Sequence, residues 1–134
     1  MKWPLAAALL TWLVLPGCAD ADRDLPRPYR QVTVPTARLQ SADARARGRT
    51  LFAANCALCH GVRGDGQGER RAGMDVPPRN LLDPQWRART TPRHIFFAIR
   101  EGVAGTPMAE WKSLSEGDAW DMTAYILSLG AQGR

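Results

Sequence analysis

The stretch Cys56-Ala57-Leu58-Cys59-His60 limits what this chain can fold into more than any other. Two thiols stand three residues apart, and an imidazole directly follows the second. This is the attachment signature of a c-type haem. Residues i and i+3 share a face of a helical turn, so both sulfurs can reach the two vinyl groups of one porphyrin and form thioethers. His60 then lies beneath the ring, with its Nε2 able to bind the iron. A zinc reading of the same residues is weak, because structural zinc sites pair two such clusters and the chain has no second one.

The cysteine count carries the next step. There are three cysteines, and an odd number in an exported chain leaves one thiol to explain. Cys18 is that thiol, and it closes a leader. Lys2 gives a positive start, and Leu5 to Leu15 form an apolar run of eleven residues. That run falls short of the roughly 20 residues needed to span a bilayer. Residues 1–17 therefore read as a secretory signal. Leu15-Pro16-Gly17-Cys18 resembles a lipobox, which would make Cys18 the acylated N-terminus of a bacterial lipoprotein; Pro16 departs from the usual pattern. The competing reading is cleavage after Ala21, at the small-x-small site Ala19-Asp20-Ala21, which would discard Cys18. The lipoprotein reading is preferred. It places the protein on the extracytoplasmic (periplasmic) side, anchored to the membrane, whereas cleavage after Ala21 would leave it soluble there.

Residues 18–40 read as the acylated cysteine and a flexible linker, preferred over a spacer or a segment docked on the domain. Pro26, Pro28 and Pro35 interrupt them, charges alternate in sign, and only Gln31–Val34 suggests a short edge strand. Fully extended, residues 19–40 would reach at most ~70–80 Å. The formal net charge of +5, of which Lys2 belongs to the leader, is too small to argue for nucleic acid.

The remainder, residues 41–134, carries three helical patterns. The first spans 41–55, with Ser41 as N-cap and Asp43 in the first turn. Ala44, Gly48, Leu51 and Phe52 share one face, with Gly48 suited to close approach of another helix, while Arg45, Arg47 and Arg49 face mostly solvent. The second spans 91–101, with Thr91 as N-cap, Pro92 at N1 and Gly102 as the stop. Its apolar face holds Ile95, Phe96 and Ile99. The third spans 115–129, capped by Ser115 and ended by Gly130, with Trp120, Thr123, Ile126 and Leu127 on one face. Residues 61–90 are loop-rich. Their glycine run lacks the Lys-Ser/Thr ending of a phosphate loop, and the spacing around Asp65 is not that of an EF-hand.

The order of these pieces resembles a known family. Gly48-x-x-Leu51-Phe52-x-x-x-Cys56-x-x-Cys59-His60 looks like the opening of a class I, mono-haem c-type cytochrome. Trp120-x-x-x-Ala124-Tyr125-Ile126-x-Ser128-Leu129 looks like that family's C-terminal helix, which crosses the first. Gly105-x-Pro107-Met108 resembles its axial-methionine loop. The resemblance implies an all-α fold of three main helices and long loops around one covalent haem c. It implies Cys56 and Cys59 as thioether sites, His60 and Met108 as axial iron ligands, and Pro77 or Pro78 as the carbonyl that accepts from His60 Nδ1–H. A thioether favours ferrous iron relative to imidazole and raises the potential. His94, Met74 and Met122 are weaker ligand candidates, best read as surface, loop and core. Arg79, Asn80 and Trp86 are candidates to meet the haem propionates.

The function expected is one-electron transfer between respiratory protein partners at the membrane surface, without catalysis of its own. Arg63, Arg70, Arg71 and Arg79 read either as a basic rim for an acidic partner or as a scattered solvated surface. A haem-bearing subunit of a larger respiratory or denitrification complex is the runner-up. A haem sensor or peroxidase-like enzyme would need an open sixth site, and no distal His/Arg pair supports one. With about 90 residues in the domain, haem should supply much of the buried apolar surface.

Overall fold

Local capping signals set the helices, and tertiary pairing sets how they cross. The computed structural model describes residues 21–130. The leader over 1–17, Cys18 and the lipid anchor lie outside the described residues. In chain order the elements are α1 (Arg27–Arg30), α2 (Thr36–Gln40), α3 (Ala42–Asn55), α4 (Ala57–His60), a 3-10 turn (Glu69–Arg71), α5 (Pro84–Arg89), α6 (Pro92–Glu101) and α7 (Glu116–Leu129). No strand occurs among the described residues, so the fold is all-α. Residues 31–34, which suggested an edge strand, are irregular.

The three long helices start where the caps place them. Ser41 Oγ accepts from Ala44 N at 3.3 Å, Thr91 Oγ1 from His94 N at 3.4 Å, and Ser115 Oγ from Asp118 N at 3.0 Å. Each satisfies an amide that the first helical turn cannot. Helix α7 is buried on nearly every side from Ala119 to Ile126, because α2, α3 and α6 all pack on it. Phe96 of α6 stacks on Trp120 of α7, with centroids 4.1 Å apart and planes at 10°. Phe52 of α3 meets Tyr125 at 5.3 Å.

The α3–α7 crossing depends on Gly48, as its place in the sequence suggested. A Cβ there would overlap the carbonyl oxygen of Asp121 and stand 2.9 Å from Tyr125 Cβ. At the same level Asp121 is fully buried, a costly place for a carboxylate unless it is paired. It accepts from Arg38 Nε at 2.6 Å, Arg38 Nη2 at 3.0 Å and Arg47 Nε at 2.8 Å. Burial pulls its pKa upward, but the two guanidiniums outweigh that and hold it below the ordinary carboxylate value. Arg47 is thus a partner of the core, not only a solvent-facing residue.

The largest departure from expectation is the segment read as a flexible linker. From Asp22 onward it lies against the domain. Leu25 is 4 % exposed, and Tyr29 packs edge-on against Phe97 at 4.7 Å. Asp22 accepts from Thr91 Oγ1 at 2.5 Å and from Arg93 Nη1 at 2.8 Å, while Arg93 Nε donates to Val32 O at 2.9 Å. Two of the charges that alternate in sign, Asp22 and Asp24, pair with Arg93 and His94, about 70 residues away. The prolines begin turns: Pro26 and Pro35 directly precede α1 and α2. They also lower the entropy lost when the segment orders.

Candidate haem site

The end of α3 turns directly into the motif. Cys56 N donates to Phe52 O at 2.8 Å and closes α3; Cys56 O then accepts from Cys59 N at 3.1 Å and His60 N at 2.8 Å. Helix α4 is therefore a single turn that presents Cys56, Cys59 and His60 together, at i, i+3 and i+4. Both cysteines are half-buried free thiols. Burial, with Cys59 beside it, pushes the Cys56 thiol up to about 12, so it is protonated at neutral pH. Among the described residues no three His, Cys, Asp or Glu side chains are grouped to hold a metal ion.

His60 is oriented by the backbone. Its Nδ1 lies 2.9 Å from Arg79 O; with the proton assigned to Nδ1, that nitrogen donates and Nε2 keeps its lone pair. Burial lowers its pKa, against the opposing effect of that carbonyl, which favours the neutral imidazole a metal needs. The acceptor is thus the residue after the two prolines expected for the task. Gly66 explains the choice: a Cβ there would stand 2.9 Å from Pro78 O, so that carbonyl faces the glycine loop and the next one faces His60.

That loop is stitched to the motif. Gly66 N donates to His60 O at 2.7 Å, Gly68 N to Cys59 O at 3.1 Å, and Leu81 N to Gly64 O at 2.7 Å. Gly68 has no room for a side chain, because a Cβ would lie 2.5 Å from the Cys59 carbonyl carbon. Gly66, at φ +77°, takes a conformation that other residues rarely adopt. Asp65 is engaged within the loop by Gln67 N at 3.0 Å and Arg63 Nη2 at 3.0 Å.

Met108 sits in the loop between α6 and α7, in a hydrogen-bonded turn. Its N–H is donated to Thr106 Oγ1 at 3.2 Å, and its carbonyl accepts from Val103 N at 3.1 Å. Its side chain is half-buried. The other ligand candidates are committed elsewhere. His94 Nδ1 accepts from Thr91 N at 3.2 Å, and its Nε2 meets Asp24 Oδ1 at 3.0 Å. Met122 is fully buried in α7, and Met74 lies half-buried in the loop. Asn80 Oδ1 accepts from Leu82 N at 2.8 Å, Trp86 packs against the core, and Arg79 is exposed.

Among the described residues the exposed large hydrophobics are Leu58, Val62, Val76, Leu82 and Val103, Val62 being 80 % exposed. All lie in α4, in the loop over 61–83 or in the loop that carries Met108. Sequence reasoning missed Arg87. Its guanidinium donates to Leu81 O at 3.0 Å, Ile126 O at 3.2 Å and Leu127 O at 2.6 Å, tying the loop beyond Arg79 to the last turn of α7.

The family model described as cytochrome c oxidase, cbb3-type, subunit III matches residues 43–126. The thiosulfate dehydrogenase of Stutzerimonas stutzeri is 35 % identical over 114 residues, covering 82 % of this chain and 34 % of that protein. The cbb3-type cytochrome c oxidase subunit CcoP of Azospirillum brasilense is 31 % identical over 93 residues, covering 68 % and 31 %. This chain thus spans about a third of the length of the curated relatives it matches. Among solved structures, the Kuenenia stuttgartiensis reducing HAO-like protein complex superposes with a TM-score of 0.59 at 24 % identity, over 66 % of this chain and 44 % of that one; this likeness concerns the fold. The KustC0563 c-type cytochrome superposes with a TM-score of 0.50 at 26 % identity, over 61 % of this chain and 95 % of that one.

Proposed function

The chain belongs to the cbb3-type subunit III family of cytochrome c domains, and from that premise we propose that it is a single-haem electron carrier tethered at a membrane surface. The family implies covalent haem c. The observation that carries the reading is one helical turn with two free thiols and an imidazole whose Nδ1 is occupied by Arg79 O.

In this reading Cys56 and Cys59 hold the haem through thioethers. His60 Nε2 and the Met108 thioether would hold its iron. The bound haem supplies reversible one-electron exchange between ferric and ferrous iron. The protein's own residues set the conditions for it. The Arg79 carbonyl fixes the imidazole plane and increases its basicity. Pro107 and the Thr106–Val103 hydrogen bonds stiffen the loop that carries the sulfur. Leu58, Val62, Leu82 and Val103 offer apolar surface that keeps water from the ring. The function so read is transfer between protein partners, with no catalysis by the chain itself and no nucleic acid. Cys18 is the lipid attachment point, on the periplasmic side, with cleavage after Ala21 as the alternative.

A second reading, a haem-bearing subunit of a larger respiratory complex, is supported by the match to about a third of the CcoP proteins. Co-purification in mild detergent separates it from a free carrier. The central test is an absorption spectrum with intact-mass determination on protein from the membrane fraction. The mass should report one haem and the acyl chains. The oxidised spectrum should carry a methionine-to-iron charge-transfer band that Met108→Ala abolishes. A wild-type spectrum without that band would remove the six-coordinate carrier and favour an open-site sensor or enzyme.

A further inference from the structure

The docked N-terminal segment changes what an anchor at Cys18 would do. A flexible linker would let the domain roam tens of ångströms from the bilayer. With the chain seated on α6 from Asp22, only three residues, four Cα-to-Cα steps, separate the lipid-bearing cysteine from the folded surface. Four such steps reach at most about 14 Å. The face at which the segment docks must therefore lie close to the headgroups.

That face is basic. Residues 22–34 and 88–94 hold five arginines (Arg23, Arg27, Arg30, Arg89, Arg93) against two aspartates, which is +3 of the chain's formal +5, with Glu101, which Tyr29 reaches, beside them; Arg87 is turned away to Leu81 O and the end of α7. Both aspartates are engaged: Asp22 by Thr91 and Arg93, Asp24 by His94. Arg23, Arg27 and Arg89 are exposed. The segment is also held firmly enough to act as a surface. Leu25 is buried, Tyr29 packs on Phe96 and Phe97 and donates to Glu101, and Arg93 grips Val32 O. The side-chain hydrogen bonds of residues 22–40 run to α3, α6 and α7, and those described do not reach the Cys56–His60 turn or the Met108 loop.

We propose that this arginine-rich face is a contact surface for anionic phospholipid headgroups, holding the domain in one orientation on the bilayer while the haem-binding loops stay free for redox partners. The proposal rests on the lipoprotein reading above, and the two can fail separately. Each arginine near an anionic surface is worth about fivefold in partitioning, so Arg23, Arg27 and Arg89 together should supply about 100-fold.

The test uses the full mature, haem-loaded protein in neutral vesicles and in vesicles doped with anionic lipid. Amide hydrogen exchange should slow over residues 22–34 and 88–94 in the anionic vesicles alone. The protection should vanish at high salt, where the field is screened, and in an R23Q/R27Q/R89Q variant whose unfolding midpoint matches the wild type. Equal exchange in both vesicle types overturns the proposal and leaves the face to an acidic protein. An intact mass without acyl chains removes the lipoprotein reading alone. The unanchored protein is then sedimented with the same vesicles: binding to anionic vesicles that the triple variant weakens about 100-fold upholds the surface, and no binding overturns it.

Discussion

Gly48→Ala tests the crossing on which the domain is built. A Cβ at Gly48 would overlap Asp121 O, stand 2.5 Å from Asp121 C and 2.9 Å from Tyr125 Cβ. Ordinary contact begins at 3.4 Å, so α3 and α7 must part by about 1 Å or more. The clash is with backbone, and no rotamer change removes it. Parting loosens the Phe52–Tyr125 contact and lengthens the hydrogen bonds from Arg38 and Arg47 to Asp121. Overpacking of this kind costs about 1–3 kcal/mol, and weakening a charged hydrogen bond adds about 1 kcal/mol or more. Against this, alanine is the better helix former by about 1 kcal/mol. The net expectation is a loss of about 2 kcal/mol, a large share of the roughly 5–15 kcal/mol of a typical domain.

The assay is urea unfolding of the haem-loaded protein followed by far-UV circular dichroism. With a slope of about 1–3 kcal/mol/M, the midpoint should fall by about 1 M at an unchanged slope. Ala46→Gly, on the exposed side of α3, is the control: it should lose about 1 kcal/mol from helix propensity alone. A Gly48→Ala protein as stable as the wild type, or more stable, would refute the close-approach argument, because propensity would then be the only effect present.

Acid should expose the Asp121 pair. Its native pKa lies below the ordinary 3.8, as does that of Asp22, where burial is outweighed by Thr91 and Arg93. Both therefore contribute stability that is full above pH 3.8 and lost as pH falls through the lower native values. Asp121→Asn should cost about 2 kcal/mol at pH 7 and flatten the decline of stability below about pH 4; an undiminished acid slope in the variant would show that other groups carry it. Cys56→Ala with Cys59→Ala should abolish the stable, haem-loaded fold, read as lost amide protection across 61–83 and 102–112. Protection equal to that of the wild type in the haem-free variant would count against the account of the site.

The sequence was informative wherever structure is set within a few residues. Ser41, Thr91 and Ser115 cap the helices they were assigned to, and the glycine at the crossing follows from one position in one pattern. Helix α5 had such a signal too: Asp83 Oδ1 accepts from Gln85 N at 2.8 Å, and Pro84 stands at N1. Six residues are too few to show a period, and the surrounding loop composition hid it. Other features depend on distant residues. Arg38 and Asp121 are 83 apart, and Arg93 and Asp22 are 71 apart. No local pattern distinguishes such charges from a solvated run. The acceptor for His60 is harder still to read, because a carbonyl is the same atom in every residue. Only the path of the chain past Gly66 determines that Arg79 offers it.

The distribution of apolar surface refines the part the haem plays. A small domain with this motif was expected to use the porphyrin as much of its core. Yet Phe52, Phe96, Trp120, Met122, Tyr125 and Ile126 are buried among themselves where α3, α6 and α7 meet. Burying side chains of this size is worth about 1.5–3 kcal/mol each, offset by the entropy of ordering the chain. Among the described residues the exposed large hydrophobic side chains lie on α4 and on the loops over 61–83 and 102–115. Those loops have few buried contacts of their own and are held by hydrogen bonds through Gly64, Gly66, Gly68 and Arg87. The protein therefore has two apolar regions with different partners. The helical crossing is closed by side chains, and the loop face is the one the proposed haem would cover. Loss of haem should consequently be felt first in the loops and only afterwards at the crossing, where Gly48 and Asp121 act. That order makes residue-resolved exchange more telling than a single melting temperature: it separates damage to the site from damage to the scaffold that positions it.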